Sequence, residues 1–261
     1  LNFPNPCSDF IYLTLGRSHK AVLTYHSDIF RPANTLSGKL LKAYKPFTHK
    51  LLASVAAIIA SSPNIIEHSP FLSRQQERCR VIPMPVDMAA FSEPTPEIAQ
   101  EAIDRFGQFV LFTGRLVRYK GLKYLIEAMG HLDFVNLVVV GRRPLEAELH
   151  RQVEELGLAE RVFFLGKISD DYLQVLYHGC LCLVLPSVSH AEGFGMVLAE
   201  AMSCGKPVIS TSLRTGTSYV NLDEVTGFVV PPSDAGALSV KIDFVVSTLK
   251  CTFSVYGLSS V

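Results

Sequence analysis

The stretch Phe109-Val110-Leu111-Phe112-Thr113-Gly114-Arg115-Leu116-Val117-Arg118-Tyr119-Lys120-Gly121 opens with four consecutive apolar residues and then turns at a glycine. An apolar run of this length, ended by a turn residue, reads as a strand buried on both faces. It leads into Gly121 to Met129, where Leu122, Leu125, Ile126 and Met129 recur at helical spacing. The pattern repeats outward from there. Leu137 to Val140, Val162 to Leu165, Leu181 to Leu185, Val208 to Ser210 and Phe228 to Val230 are further apolar runs, and Leu145 to Leu156 is amphipathic through Leu145, Leu149, Val153 and Leu156. Strand followed by helix, several times over, specifies an α/β fold with a doubly wound parallel sheet. Ligands of such sheets bind beyond the carboxyl ends of the strands, so the loops after these runs are where chemistry is expected.

The first third is less regular. Lys20 to Tyr25 reads as a strand, Leu36 to Ser54 as a helix interrupted at Pro46, and Ala56 to Ala60 as a buried strand or a helix end. Val81 to Val86 is extended because of its two prolines. Ser92 to Pro96 is a turn-rich connector, and Glu97 to Phe106 is a short helix ahead of the second domain. A boundary near residue 107 follows, which leaves the first domain two or three strands.

The 261 residues are 48% hydrophobic, with 24 Lys and Arg against 24 Asp and Glu, a composition that excludes a disordered chain. The zero net charge argues against a nucleic-acid partner, yet it conceals a gradient. Residues 1–90 carry ten Lys and Arg against five Asp and Glu, and the remainder fourteen against nineteen. None of the six cysteines forms a CxxC pair or sits at ligand spacing from a histidine, so reduced thiols are expected rather than a zinc site or a disulfide scaffold. The longest near-continuous apolar stretch, Leu51 to Ala60, is about half the ~20 residues that a spanning helix needs. The chain begins Leu-Asn-Phe-Pro-Asn-Pro, without an initiator Met or the pattern of a signal peptide, and is read as starting inside a longer protein.

Two segments carry chemistry. Glu192-Gly193-Phe194-Gly195-Met196-Val197-Leu198-Ala199-Glu200-Ala201-Met202 follows the apolar run that ends at Pro186, and its two glycines open a helix. Backbone N–H groups at a helix N-terminus, uncovered by side chains, suit phosphate or sugar oxygens. Glu192 lies before that helix and Glu200 about two turns inside it, roughly 12 Å further on, so one carboxylate is placed to grip each end of a ligand. With no third glycine, the segment is not a dinucleotide-binding fingerprint. An acidic residue favouring the helix dipole and a surface glutamate explain the spacing equally well. In the second segment, the one first quoted, Arg115 and Lys120 follow a strand, where two fixed cations neutralise a diphosphate. Such cations stabilise the charge that develops as a diphosphate leaves more than they stabilise the ground state. No GxxxxGK[ST] loop is present.

Gly114-Arg115 with Lys120-Gly121, the Glu192 to Glu200 spacing, Ile82-Pro83-Met84-Pro85-Val86-Asp87 with Phe91, and Val229 to Asp234 together resemble the group 1 (GT4-type) retaining glycosyltransferases of GT-B fold, over about Phe3 to Ile242. Four motifs in the right order make the resemblance specific. It implies two Rossmann-like domains: a partial N-terminal acceptor-side domain over 1–107, a C-terminal nucleotide-sugar-binding domain over 108–243, and an atypical tail over 244–261. Arg115 and Lys120 match the pair holding the donor diphosphate, and Glu192 the acidic residue on the donor-sugar hydroxyls. Gly193, Phe194, Gly195, Met196 and Val197 match the loop on sugar and phosphate, joined there by Gly114. Glu200 matches the residue on the nucleotide ribose, and His26 a histidine near the donor sugar.

The activity so implied is transfer of a sugar from a GDP- or UDP-sugar to a hydroxyl of a glycan or glycolipid, with retention at the anomeric carbon. It belongs to the assembly of surface polysaccharide or lipopolysaccharide in the cytoplasm. The nucleotide sugar is a substrate, so no cofactor is implied, and no metal either, because Asp170-Asp171 is adjacent rather than a spaced DxD and the cationic pair takes the metal's electrostatic part. The sequence departs from the family in three places. The match begins well inside the first domain, Pro85 replaces the usual glycine of its motif, and Val245 to Ser254 is an apolar, β-prone run where helices are expected. Truncation at both ends is the expectation, and a non-catalytic fragment that retains nucleotide-sugar binding stays open beside the enzyme. The basic stretch Lys39 to Leu52 interleaves lysines with leucines and aromatics, a pattern suited either to an anionic inner-membrane face or to a solvated helix packed on its own sheet.

Overall fold

Ten strands form two sheets in the computed structural model, which describes residues 1–16, 19–29, 36–87, 91, 96–142 and 144–255, and every strand pair in it is parallel. The chain divides into two units: Leu1–Pro85 with Ser189–Phe194 and Leu213–Tyr219, and the described residues of Val86–Val188, Gly195–Ser212 and Val220–Val261.

The first unit runs β1 (Asn2–Phe3), α1 (Pro6–Ile11), β2 (Val22–Tyr25), α2 (Leu36–Ser54), β3 (Ala57–Ala60), α3 (Pro63–His68) and β4 (Cys79–Val81). Its sheet has the order β1-β2-β3-β4, four strands where two or three were expected. The additional pairings are too short to leave an apolar signature: β1 is two residues long and β4 three. Phe3 stacks on Tyr25 at 4.8 Å and joins Leu23, Ile58, Leu51, Leu52 and Phe71 in the core. The expected interruption at Pro46 is absent. Proline removes one helical hydrogen bond, but buried Thr48, Leu51 and Leu52 hold the second half of α2, and Tyr44 donates to Asp9 Oδ2 at 2.5 Å from the first half.

The second unit continues with α4 (Pro96–Phe106), β5 (Phe109–Thr113), α5 (Leu122–Met129), β6 (Asn136–Val140), α6 (Glu146–Glu155), β7 (Val162–Gly166), α7 (Asp170–Gly179), β8 (Cys182–Leu185), α8 (Met196–Ser203), β9 (Val208–Thr211), β10 (Phe228–Val230) and α9 (Ala235–Val255). The apolar runs read from the sequence are the strands of its six-stranded sheet, ordered β10-β9-β8-β5-β6-β7. Phe109 to Phe112 of β5 are wholly buried, each contributing roughly 1.5–3 kcal/mol relative to exposure. The chain leaves β5 toward β6 and β7, then returns to lay β8 on the other side of β5, with Leu111 opposite Leu183. The β5/β8 edge is therefore the switch point of the sheet, where a doubly wound fold opens its crevice.

Two sequence expectations change here. The division falls after Pro85 rather than near residue 107, because Ala102 and Phe106 of α4 are buried in one cluster with Phe109, Leu111 and Tyr177. A Cβ built on Gly179 of α7 would lie 2.6 Å from Ala102 Cβ, so the two helices meet with no space between them. The β-prone run from Val245 is helical, because Leu238, Ile242, Val245 and Val246 recur at helical spacing and are buried beside Leu125 and Met129 of α5. Tail residues 256–261, connector residues 92–95 and the side chains of Lys39, Leu40, Leu41 and Ala43 lie outside the described residues.

Candidate functional site

After β5 the chain turns through Gly114 and Arg115 into a short 3-10 turn, Arg118–Lys120, that ends at Gly121. Lys120 is buried, at 9% exposure, and its stem lies along Gly114, where an added Cβ would be 3.4 Å from Lys120 Cε and 3.5 Å from Nζ. Arg115 is exposed, and its Nη2 reaches Tyr119 Oη at 3.4 Å. Gly121 has φ +68°, and a Cβ there would lie 1.9 Å from the carbonyl oxygen of Pro186. Only glycine permits that approach. It lets the chain beyond β8 seat on this turn, where the Val188 N–H donates to the Tyr119 carbonyl at 2.7 Å. Two cations thus stand at the carboxyl end of β5, at the switch point, one of them buried against backbone.

The Glu192 to Glu200 motif is shared between the units: Glu192, Gly193 and Phe194 are grouped with the first and Gly195 to Glu200 with the second. Gly195, with φ +78°, is the N-cap of α8 and makes no side-chain capping hydrogen bond to the helix that opens with Met196 and Val197. Glu200 is the fifth residue of α8, just over one turn inside rather than two, because Glu192 to Gly195 is loop. Tyr177 of α7 donates its hydroxyl to Glu200 Oε2 at 2.6 Å. Burial and the neighbouring carboxylate push the Tyr177 phenol well above its ordinary value, so it remains a donor. Burial likewise pushes the Cys180 and Cys204 thiols up to about 12 and about 11, which removes them as nucleophiles.

In the first unit Glu192 is buried, at 6% exposure. A Cβ on Gly193 would lie 2.1 Å from the carbonyl oxygen of His26, so glycine is required for the loop to lie on the end of β2. The Gly193 carbonyl in turn accepts from the Gly216 N–H at 2.8 Å. His26 Nε2 is 3.2 Å from Asn2 Oδ1. Asp28, two residues on, accepts from Tyr25 Oη at 2.5 Å and from Ser69 Oγ at 2.6 Å, which anchors the segment carrying His26. Each unit therefore brings part of the expected set together: Gly114, Arg115 and Lys120 on one turn and Gly195 to Glu200 on one helix in the second, and His26 with Glu192 and Gly193 in the first.

The family model of the glycosyl transferases, group 1, matches residues 95–249. The chain belongs to the group 1 glycosyltransferases. Among similar group 1 proteins, a D-rhamnosyltransferase, WbpZ of Pseudomonas aeruginosa, is 38% identical over 237 residues, covering 90% of this chain and 60% of that protein. The O-antigen chain mannosyltransferase C of Escherichia coli is 36% identical over 91% of this chain and 62% of its own. The sucrose-phosphate synthase of Thermosynechococcus elongatus superposes with a TM-score of 0.79 at 28% identity, over 92% of this chain and 62% of that one. The chain thus spans about 60% of the length of these relatives. Its paired parallel-sheet units have the GT-B glycosyltransferase fold.

Two features of this group 1 chain escaped the sequence reading. Tyr177 is the partner of Glu200, and its signal was its place on the buried stripe with Leu173 and Leu176, since a buried phenol needs an acceptor. Asp28 lies two residues after His26, and only folding supplies Ser69, 41 residues away, as its second donor.

Proposed function

We propose that the chain carries the donor side of a retaining transfer from a GDP- or UDP-sugar to the hydroxyl of a glycan or glycolipid. The observation that carries this reading is the buried Lys120, with Arg115 on the same turn, at the carboxyl end of the strand that forms the switch point. The donor diphosphate sits on these cations and at the start of α8, Glu192 takes donor-sugar hydroxyls, Glu200 takes the ribose, and His26 lies by the sugar. The bond from the anomeric carbon to the diphosphate oxygen breaks while the acceptor oxygen attacks the same face. The acceptor proton passes to the departing diphosphate. Charge accumulating on that oxygen is stabilised by cations already in place, which lowers the barrier more than it tightens ground-state binding. The relatives' names support a hexose or deoxyhexose donor and an O-antigen type of acceptor.

Titration calorimetry with UDP and GDP tests the donor half. Lys120→Ala is expected to weaken binding about ten- to a hundredfold, the worth of a charged hydrogen bond. Equal affinities for the two chains would refute the assignment. Turnover of labelled nucleotide sugar onto a lipid-linked acceptor then separates an active enzyme from a fragment that only binds.

A peripheral contact with the cytoplasmic membrane face belongs to the same proposal. Lys42, Lys45 and Lys50 of α2 are exposed, and Phe10, Ile11 and Leu15 are 59%, 58% and 79% exposed, with Phe10 stacked at 6.3 Å on Phe47 of α2. Among the described residues no helix is long and apolar enough to cross a membrane. Basic residues near an anionic leaflet each contribute about 1 kcal/mol. Co-sedimentation with phosphatidylglycerol vesicles and none with phosphatidylcholine vesicles is the expected result; equal behaviour with both removes the membrane from the proposal.

A further inference from the structure

We infer that Tyr177 is a positioning residue for nucleotide recognition, acting through Glu200. The inference rests on the reading of Glu200 as the residue at the nucleotide ribose, and it adds what makes that carboxylate a fixed acceptor.

A glutamate has three side-chain torsions, and a half-exposed one on a helix ordinarily samples several rotamers in water. Glu200 is half-exposed but does not stand alone: Tyr177 Oη donates to its Oε2 at 2.6 Å. The donor is rigid. Tyr177 is wholly buried, belongs to the cluster built from Leu176, Leu183, Leu198 and Ala201, and meets the edge of Phe91 at 5.8 Å. Leu198 and Ala201 come from the helix that carries Glu200, so the packing that fixes the ring also fixes its distance from the carboxylate.

Phenol-to-carboxylate hydrogen bonds recur in this molecule, from Tyr25 to Asp28 and from Tyr44 to Asp9, each at 2.5 Å. At Tyr177 the carboxylate so held is Glu200, the one read as the ribose acceptor. One oxygen is used by the phenol and the orientation of the other is set by it. A ligand then meets an acceptor whose torsional freedom has already been spent in folding, and this is how a preorganised contact gains affinity.

The test is titration calorimetry of UDP and GDP, alongside their 2′,3′-dideoxy forms, against the unsubstituted chain, Tyr177→Phe, Glu200→Ala and the double variant. Phenylalanine keeps the ring and its packing, and thermal unfolding of Tyr177→Phe checks that it folds. The expected result is a loss of about tenfold for the ribonucleotide, a much smaller loss for the dideoxy form, and no added loss from Tyr177→Phe in the Glu200→Ala background. Equal losses for ribo and dideoxy ligands would show a general structural effect and overturn the inference. So would an additive double variant, or wild-type affinity in Tyr177→Phe. If Tyr177→Phe does not fold, Tyr177→Leu, which fills the buried site without a donor, replaces it under the same criteria. Glu200→Ala with an unchanged preference for the ribonucleotide, or no nucleotide binding by the unsubstituted chain, overturns the donor-site reading itself and removes the ground for Tyr177.

Discussion

A few residues here have no substitute, and the reason is the space around backbone atoms. At Gly121 a side chain faces both a left-handed φ of +68° and the Pro186 carbonyl 1.9 Å from where its Cβ would stand. Moving Pro186 would pull the chain beyond β8 away from the turn that carries Lys120. Gly121→Ala is therefore expected to cost at least about 2 kcal/mol of stability, combining the left-handed penalty with overpacking. Urea denaturation read by circular dichroism measures it, and an unchanged midpoint would show that the loop relaxes freely. The sequence marked Gly121 as a helix opener, yet the clash that makes it indispensable involves a residue 65 positions further on. Lys120 shows the same split. Its charge and its place after a strand were legible, whereas its burial along Gly114 came only from the fold.

Among the helices, α7 carries an unusual tension. His178 is buried, and its Nε2 has no hydrogen-bond partner among the described residues. Burial, with Lys206 nearby, holds its imidazole below the ordinary histidine value of 6.5. The unfolded chain therefore takes up a proton at a higher pH than the folded chain does, and protonation favours unfolding. Stability is expected to be fully present above the ordinary value and to fall as the pH drops through it. His178→Gln should flatten that fall. Denaturation midpoints for both chains between about pH 8 and about pH 5 would show it, and parallel curves would place the sensitivity elsewhere. Element types were readable wherever the apolar pattern was long, as in β5 to β9 and in α5 and α6. They were misread at the Val245 run, where β-branched residues favour a strand locally but their spacing matches the face of α5. They were missed at β1 and β4, whose few residues pair only because β2 and β3 are already there.

At the scale of the molecule, the two units differ in the depth of their cores. The first has one cluster under a four-stranded sheet, and the second has a cluster on each face of a six-stranded sheet whose β5 is flanked by strands on both sides. Hydrogen exchange followed by mass spectrometry is expected to find the amides of β5 and β8 slowest and those of β1 and β2 faster by at least an order of magnitude. Uniform protection across both sheets would mean that the chain opens as one cooperative block. By itself the sequence determined the class of fold and the strands of the second sheet, which follow from periodicity, and the family, which follows from the resemblance of its motifs. The tertiary structure alone decided that α4 packs with the second sheet, that Glu192 and Glu200 are grouped with different units, and that Tyr177 holds Glu200. Each of these depends on which distant segments fill the same space, and close packing settles that only once the whole chain has folded.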